Sequence, residues 1–150
     1  MSVLPVRGSR LVPISSTSVV NGFLSTNLEL LMTDKIKILR STAYARQAGT
    51  CFYCKMPMWT DNPQQFALKY GISLKQAERH QCTAEHLQAR QNGGGDSQAN
   101  IVAACKFCNQ QRHQRKIAPT PEAYKQMVQR RVRQRKWHHP WIYQKDAYAV

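Results

Sequence analysis

Residues 82–113 read Cys82-Thr-Ala-Glu-His-Leu-Gln-Ala-Arg-Gln-Asn-Gly-Gly-Gly-Asp-Ser-Gln-Ala-Asn-Ile-Val-Ala-Ala-Cys-Lys-Phe-Cys-Asn-Gln-Gln-Arg-His113, and this stretch decides the fold. Residues 82–87 suit a short strand that ends at Glu85-His86. The Gly93-Gly94-Gly95-Asp96 run makes a loop, and Asn100-Ile-Val-Ala-Ala104 suits a second strand. From Lys106 to about Lys116 the chain is polar, rich in Gln and Arg, and helical in character. The local order is therefore strand, loop, strand, helix.

Working outward, the pair Cys105-Lys-Phe-Cys108 sits where the second strand hands over to the helix, and a matching pair, Cys51-Phe-Tyr-Cys54, lies upstream. A tetrahedral zinc ion takes four soft thiolates, and two C-x-x-C knuckles from distant segments supply them. Four of the five cysteines fall in such pairs, which argues against a secreted disulfide scaffold. Cys82 is left over and reads as a small buried side chain, and His80 reads as exposed; either is at most a weak competitor for the metal.

A chain of 150 residues has room for one domain and a modest core. Structural zinc, worth about 10 kcal/mol or more of binding energy linked to folding, would reinforce it. A net charge of +14 implies a polyanionic partner, nucleic acid before anionic membrane. Between Cys105 and Lys136 ten basic residues face one acid, Glu122, so much of the surplus follows the second knuckle. No segment approaches the ~18 apolar residues of a membrane span, and no secretory signal is evident, so the expectation is cytoplasmic.

Residues 1–32 carry no helical or strand period and read as a flexible or loosely docked tail, ahead of a single domain over 33–150. Thr33 suits an N-cap for a helix ending near Gly49. Residues 62–81 read as a helical insertion: Asn62-Pro63 opens a helix through Tyr70, Ser73 caps another through His80, and Phe66, Ala67, Tyr70, Leu74 and Ala77 are the buried positions. Thr120-Pro121-Glu122 opens a basic helix over 120–136, with Tyr124, Met127, Val128 and Val132 as its apolar stripe. The tail rings of Trp137, Trp141 and Tyr143 suit cover for the domain's own core better than base stacking.

Thr83-Ala-Glu-His-Leu, the glycine-rich loop, Asn100-Ile-Val-Ala-Ala-Cys, Lys-Phe-Cys-Asn109 and His113 together resemble the HNH endonuclease family, in the branch with four zinc-binding cysteines. The similarity spans roughly residues 51–113, apart from the insertion between Cys54 and Cys82. It implies an α+β fold: a small ββα-metal core (His-Me finger) stapled by a four-cysteine zinc site, with flanking helices. By the same resemblance His86 is the general base, Asn100 orients that histidine and ties down the loop, and Glu85, Asn109 and His113 hold a catalytic divalent cation. Cys51, Cys54, Cys105 and Cys108 hold the structural zinc. Glu85 departs from the aspartate commoner at its position. The implied partner is DNA, double-stranded by preference.

The chemistry asks for these residue types. Phosphodiester hydrolysis adds negative charge to a phosphate that already repels nucleophiles, so a divalent cation is needed. Carboxylate, amide and imidazole suit Mg²⁺ or Mn²⁺, with Zn²⁺ or Ni²⁺ harder to exclude. Histidine accepts a proton from water near neutral pH. Asn109 and His113, four apart, share a helix face, whereas adjacent Glu85 and His86 face opposite ways along a regular strand. They share a site only if the strand bends or ends there, and the glycines supply hinges for the loop. Arg90 and Arg112 suit phosphate contacts, surface charges or internal ion pairs alike. The competing classes are a non-catalytic zinc-ribbon nucleic-acid-binding module, which needs no Glu-His/Asn/Asn set, and a thiol redox protein, which two knuckles beside such a set disfavour.

Overall fold

The computed structural model describes residues 34–143. The expectations for residues 1–32 and for the Thr33 cap lie outside that range. Helix α1 covers residues 34–46 and turns off through Ala48 and Gly49, both at positive φ. The first knuckle follows, closed by Cys51 N–H donating to the Met56 carbonyl at 2.9 Å, with Lys55 at φ 62°.

The insertion folds as two short helices, α2 (Pro63–Tyr70) and α3 (Leu74–Glu78). Asn62 caps α2 through Gln65 N–H, proline sits at its start, and Gly71 in the left-handed region ends it. Ser73 and Gln76 form a reciprocal capping box on α3. Phe66, Ala67 and Ala77 make a small satellite core with Trp59, Tyr70 and Ile72 against it. Two expectations fail here. Leu74 opens a five-residue helix and is 52 % exposed, because one and a half turns cannot bury both ends. His80 is 1 % exposed: the chain leaves α3 at once, and the His80 carbonyl and the Cys82 N–H pair with Trp59, pulling the imidazole inward against Phe66.

β1 (Cys82–His86) and β2 (Ile101–Cys105) form an antiparallel pair in the register Cys82 to Cys105 through His86 to Ile101. Every residue of β2 is buried. A two-stranded sheet is marginal alone, and here the outer edge of β2 is covered at Ala103. Phe52 N–H donates to the Ala103 carbonyl, and the Gln47 amide pairs with the Ala103 backbone in both directions, as a third strand would.

α4 (Lys106–His113) begins without a linker, Cys105 being its N-cap, and ends one turn short of Lys116. α5 (Pro121–Arg133) is capped by Thr120 and stops before 136, as Arg135 takes φ 54°. A 3₁₀ turn over Pro140–Tyr143 closes the described chain. The main core gathers Tyr53, Met56, Met58, Ala103, Tyr124, Val128 and Ile142 around the four paired cysteines, with Trp137 and Tyr143 packed against it. Tyr53 and Tyr124 meet edge to face at 4.9 Å, and Tyr124 OH donates to the Cys108 carbonyl at 2.8 Å.

Candidate functional site

The Sγ atoms of Cys51, Cys54, Cys105 and Cys108 lie within 4.8 Å of one another, all buried. Tetrahedral zinc–thiolate bonds of ~2.3 Å put sulfurs about 3.8 Å apart; Cys54 and Cys105 stand at 3.9 Å, far outside disulfide bonding and right for a shared metal. Burial raises a thiol, and holds those of Cys54 and Cys108 well above their ordinary range. Burial pushes Cys51 the same way, but hydrogen bonds from the neighbouring thiols outweigh it and bring it well below that range. Cys82, though buried, stands apart from the four, and burial lifts its thiol to about 11.

Glu85, one pairing before the end of β1, is 1 % exposed and points at α4. Its Oε1 accepts from Tyr53 OH at 2.9 Å and from the Arg112 guanidinium. Arg112 also donates to the carbonyls of His86 (3.1 Å), Leu87 (3.0 Å) and Pro119 (3.2 Å), so of the three readings open to it the internal ion pair is the one found. The outer oxygen, Oε2, lies 3.1 Å from His113 Nε2, on a side chain 42 % exposed. Burial, with the Glu85 carboxylate beside it, pushes the Tyr53 phenol far above its ordinary range, so it stays a donor.

His86 takes the alternate direction along the strand. Its Nε2 is 2.7 Å from Asp96 Oδ1. Arg90 Nη2 bridges both Asp96 oxygens at 3.1 and 3.0 Å, and its Nε approaches His86 Nε2 at 3.3 Å. One ring nitrogen cannot donate to Asp96 and accept from Arg90 together; the shorter bond to a carboxylate is the stronger, so Nε2 carries the hydrogen. The hydrogen bond from His86, with Arg90 beside it, holds the Asp96 carboxyl below its ordinary range.

Asn100 ties the two ends of the loop together. Its Oδ1 accepts from Gln88 N–H at 2.8 Å, and its Nδ2 donates to the carbonyls of Gln88 and Gly95. The three glycines do not act alike as hinges. A Cβ on Gly94 would sit 1.8 Å from the Gln88 carbonyl oxygen, Gly93 needs φ 82°, and a Cβ on Gly95 would meet nothing within 4 Å. Asn109, expected beside the cation, faces β1 instead: its Nδ2 donates to Thr83 Oγ1 (3.0 Å) and the Ala84 carbonyl (3.1 Å), pinning α4 to the strand.

The site residues thus fall into three groups: Glu85 with His113, His86 with the loop, and Asn100 and Asn109 as ties. A cavity of about 590 Å³ opens beside them, lined by Leu87, Asn92, Arg112, His113, Lys116 and Pro119 among others. The larger cavity, about 790 Å³ at Tyr44, Trp59 and Phe66, touches none of these groups.

That order of elements, with a Glu-His strand end, an Asn-closed loop and a Cys-Asn…His helix, is matched at family level. Residues 73–115 match the HNH endonuclease family. No curated protein and no solved structure matches the chain significantly. An HNH match points to nuclease-type chemistry on nucleic acid, and the cysteine cluster fits a metal such as zinc. Among the described residues no helix is long and apolar enough to cross a membrane.

Sequence reasoning misses two members of the constellation. Asp96 reads only as part of the loop, although an acid after a glycine run beside a candidate base is a usable signal. Tyr53 lies inside the first knuckle, and nothing in its local sequence marks it as the partner of Glu85.

Proposed function

We propose that the protein is a divalent-metal-dependent endonuclease that hydrolyses DNA phosphodiester bonds. The observation that carries this reading is the meeting of Glu85 Oε2 and His113 Nε2 at 3.1 Å, from β1 and α4. Two ligands in neighbouring octahedral positions at about 2.1 Å stand about 3.0 Å apart, so the pair fits one small cation. Such a cation, Mg²⁺ or Mn²⁺, would stabilise charge developing on the phosphate and the leaving oxygen. Asn109 is left out of the ligand set and acts by fixing the helix. The four cysteines hold structural zinc.

His86 is the general base. With Nε2–H given to Asp96, Nδ1 keeps its lone pair and takes a proton from water. The water oxygen then bonds to phosphorus as the bond from phosphorus to the leaving sugar oxygen breaks, and that oxygen is protonated by solvent. Asp96 positions the base and favours its protonated form, and Asn100 holds the loop that presents both. The grip on DNA comes from α5, where Arg130, Arg131 and Arg133 are exposed and, among the described residues, enter no ion pair.

The test incubates zinc-loaded protein with supercoiled plasmid, with and without Mg²⁺ or Mn²⁺, beside His86→Ala. Metal-dependent nicking that disappears in the variant is the expected result. Nicking that persists in His86→Ala rejects the base. Binding without cleavage under every metal rejects the enzyme in favour of a zinc-ribbon binding module.

A further inference from the structure

A metal held by four thiolates is not neutral. Four sulfur anions around one divalent cation leave a charge of −2, and here that charge sits among buried cysteines. Each sulfur therefore needs an N–H donor, because a buried anion without one is costly. The two knuckles supply only half of the set. Cys105 N–H donates to Cys51 Sγ at 3.3 Å, and Cys108 N–H donates to Cys105 Sγ at 3.4 Å. No knuckle N–H reaches Cys54 or Cys108 in the same way among the described residues.

Those two sulfurs are met by side chains from the far end of the chain. Trp137 Nε1 donates to Cys108 Sγ at 3.2 Å, and His138 Nε2 lies 3.4 Å from Cys54 Sγ. His138 is 6 % exposed, and its other nitrogen, Nδ1, is buried without a partner. A hydrogen on Nδ1 would be a stranded donor, and a metal-bound thiolate can only accept. The hydrogen therefore belongs on Nε2, aimed at Cys54. The tail is held in register for this: Tyr143 Oη accepts from both the Trp137 and His138 backbone N–H groups, at 3.3 and 3.1 Å. Ile142 is buried in the same core.

We infer that Trp137 and His138 complete the four-cysteine metal centre by donating one N–H each to Cys108 and Cys54, so that the C-terminal tail is a working part of the metal site. Each of the four sulfurs then has at least one N–H donor, Cys51 and Cys105 from the backbone and Cys54 and Cys108 from the tail. The inference rests on the thiolate centre alone and stands or falls separately from the nuclease reading. It also gives the aromatic tail a role beyond packing. The tail supports the cysteines that hold the metal, and in doing so fastens the C-terminal end of α5 to the first knuckle and to α4, while Tyr124 fastens the beginning through the Cys108 carbonyl.

The test uses the full chain loaded with Zn²⁺ or Co²⁺ and four variants. Trp137→Phe and His138→Met remove a donor while keeping bulk. His138→Gln keeps an N–H near the Nε2 position, and Trp137→Phe/His138→Met removes both donors. Metal affinity is measured by competition with a chromophoric chelator, and the thiolate-to-cobalt charge-transfer band by absorption. Losing an outer-shell partner costs about 10- to 100-fold in metal affinity, so each donor-less variant is expected in that range and the double variant beyond either. The cobalt band is expected to move to lower energy, since an unpaired thiolate gives up its electrons more easily, and His138→Gln should return both readouts towards wild type. Affinities within about twofold of wild type with an unmoved band overturn the inference. So does a His138→Gln variant as impaired as His138→Met, since bulk and not the donor would then be what matters.

Discussion

Replacing Arg112 by Met removes four hydrogen bonds and one charge from a buried ion pair. The Arg112 side chain is 5 % exposed and that of Glu85 1 %, so solvent cannot take over. What remains is a buried Glu85 carboxylate with only Tyr53 and His113 near it, and the Pro119, His86 and Leu87 carbonyls without this donor. Breaking a buried pair from one side costs about 3–5 kcal/mol. With an unfolding entropy of ~2.1 cal/mol/K per residue over about 110 described residues, each kcal/mol moves Tm by about 4 °C. Arg112→Met should therefore melt about 12–20 °C below wild type in calorimetry of the metal-loaded protein. Removing both partners, as Glu85→Met/Arg112→Met, should recover most of that loss, because no buried charge is then stranded. A single variant within about 3 °C of wild type would refute the buried-pair argument. So would a double variant no better than the single one.

Gly94→Ala forces a Cβ onto the Gln88 carbonyl oxygen, whereas Gly95→Ala meets nothing; the first should cost about 1–3 kcal/mol and most of the nicking activity, and the second neither. Asp96→Asn should lower kcat at least about tenfold, out of the ~10²–10⁴ that a general base supplies, with KM and Tm near wild type; equal kcat values would remove Asp96 from the site. Burial lowers the His80 imidazole to about 4, so its contribution is complete above the unfolded value near 6.5 and is lost as pH falls towards 4. At ~1.4 kcal/mol per pH unit, wild type should lose about 2 kcal/mol more than His80→Asn between pH 7 and pH 5. Asparagine keeps a donor for the Pro57 carbonyl, 3.1 Å from His80 Nδ1, and cannot titrate; parallel pH curves would contradict the assignment. Arg130→Ala/Arg131→Ala/Arg133→Ala should flatten the log–log salt slope of DNA binding by about 2.7, and an unchanged slope would place the grip elsewhere.

The strand–loop–strand–helix order was legible because each element is set by local chemistry. Glycines mark the loop, β2 is an apolar run bounded by Asn100 and Cys105, and α4 starts where its own N-cap cysteine stands. The knuckles were legible because metal-ligand spacing is a local pattern. What was not legible depends on neighbours distant in sequence. His80 looks like a polar helix end, and only its pairing with Trp59 and its packing on Phe66 and His138 bury it. Arg112 looks like one of many surface cations, and its four partners come from β1, the loop and the linker to α5. Asn109 sits in a ligand-like position, yet the amide turns to the Thr83 hydroxyl because the α4–β1 contact leaves that acceptor facing it.

The metal centre and the reactive groups are one mechanical unit, and the connection runs through residues between or beside the cysteines. Tyr53, enclosed by Cys51 and Cys54, hydrogen-bonds Glu85, and Asn109, next to Cys108, hydrogen-bonds the strand that carries Glu85 and His86. Ten strand residues cannot hold such a geometry without support, since a hairpin of that size is marginal in water. A metal such as zinc, for which the four cysteines are placed, would supply that support. Loss of the metal should then misplace Glu85 before it unfolds α2 and α3, which have a small core of their own, whereas α1 packs through Ala43 into the core that holds the cysteines. On the function proposed above, a catalytic cation at Glu85 and His113 would sit on a scaffold fixed by the four-cysteine centre.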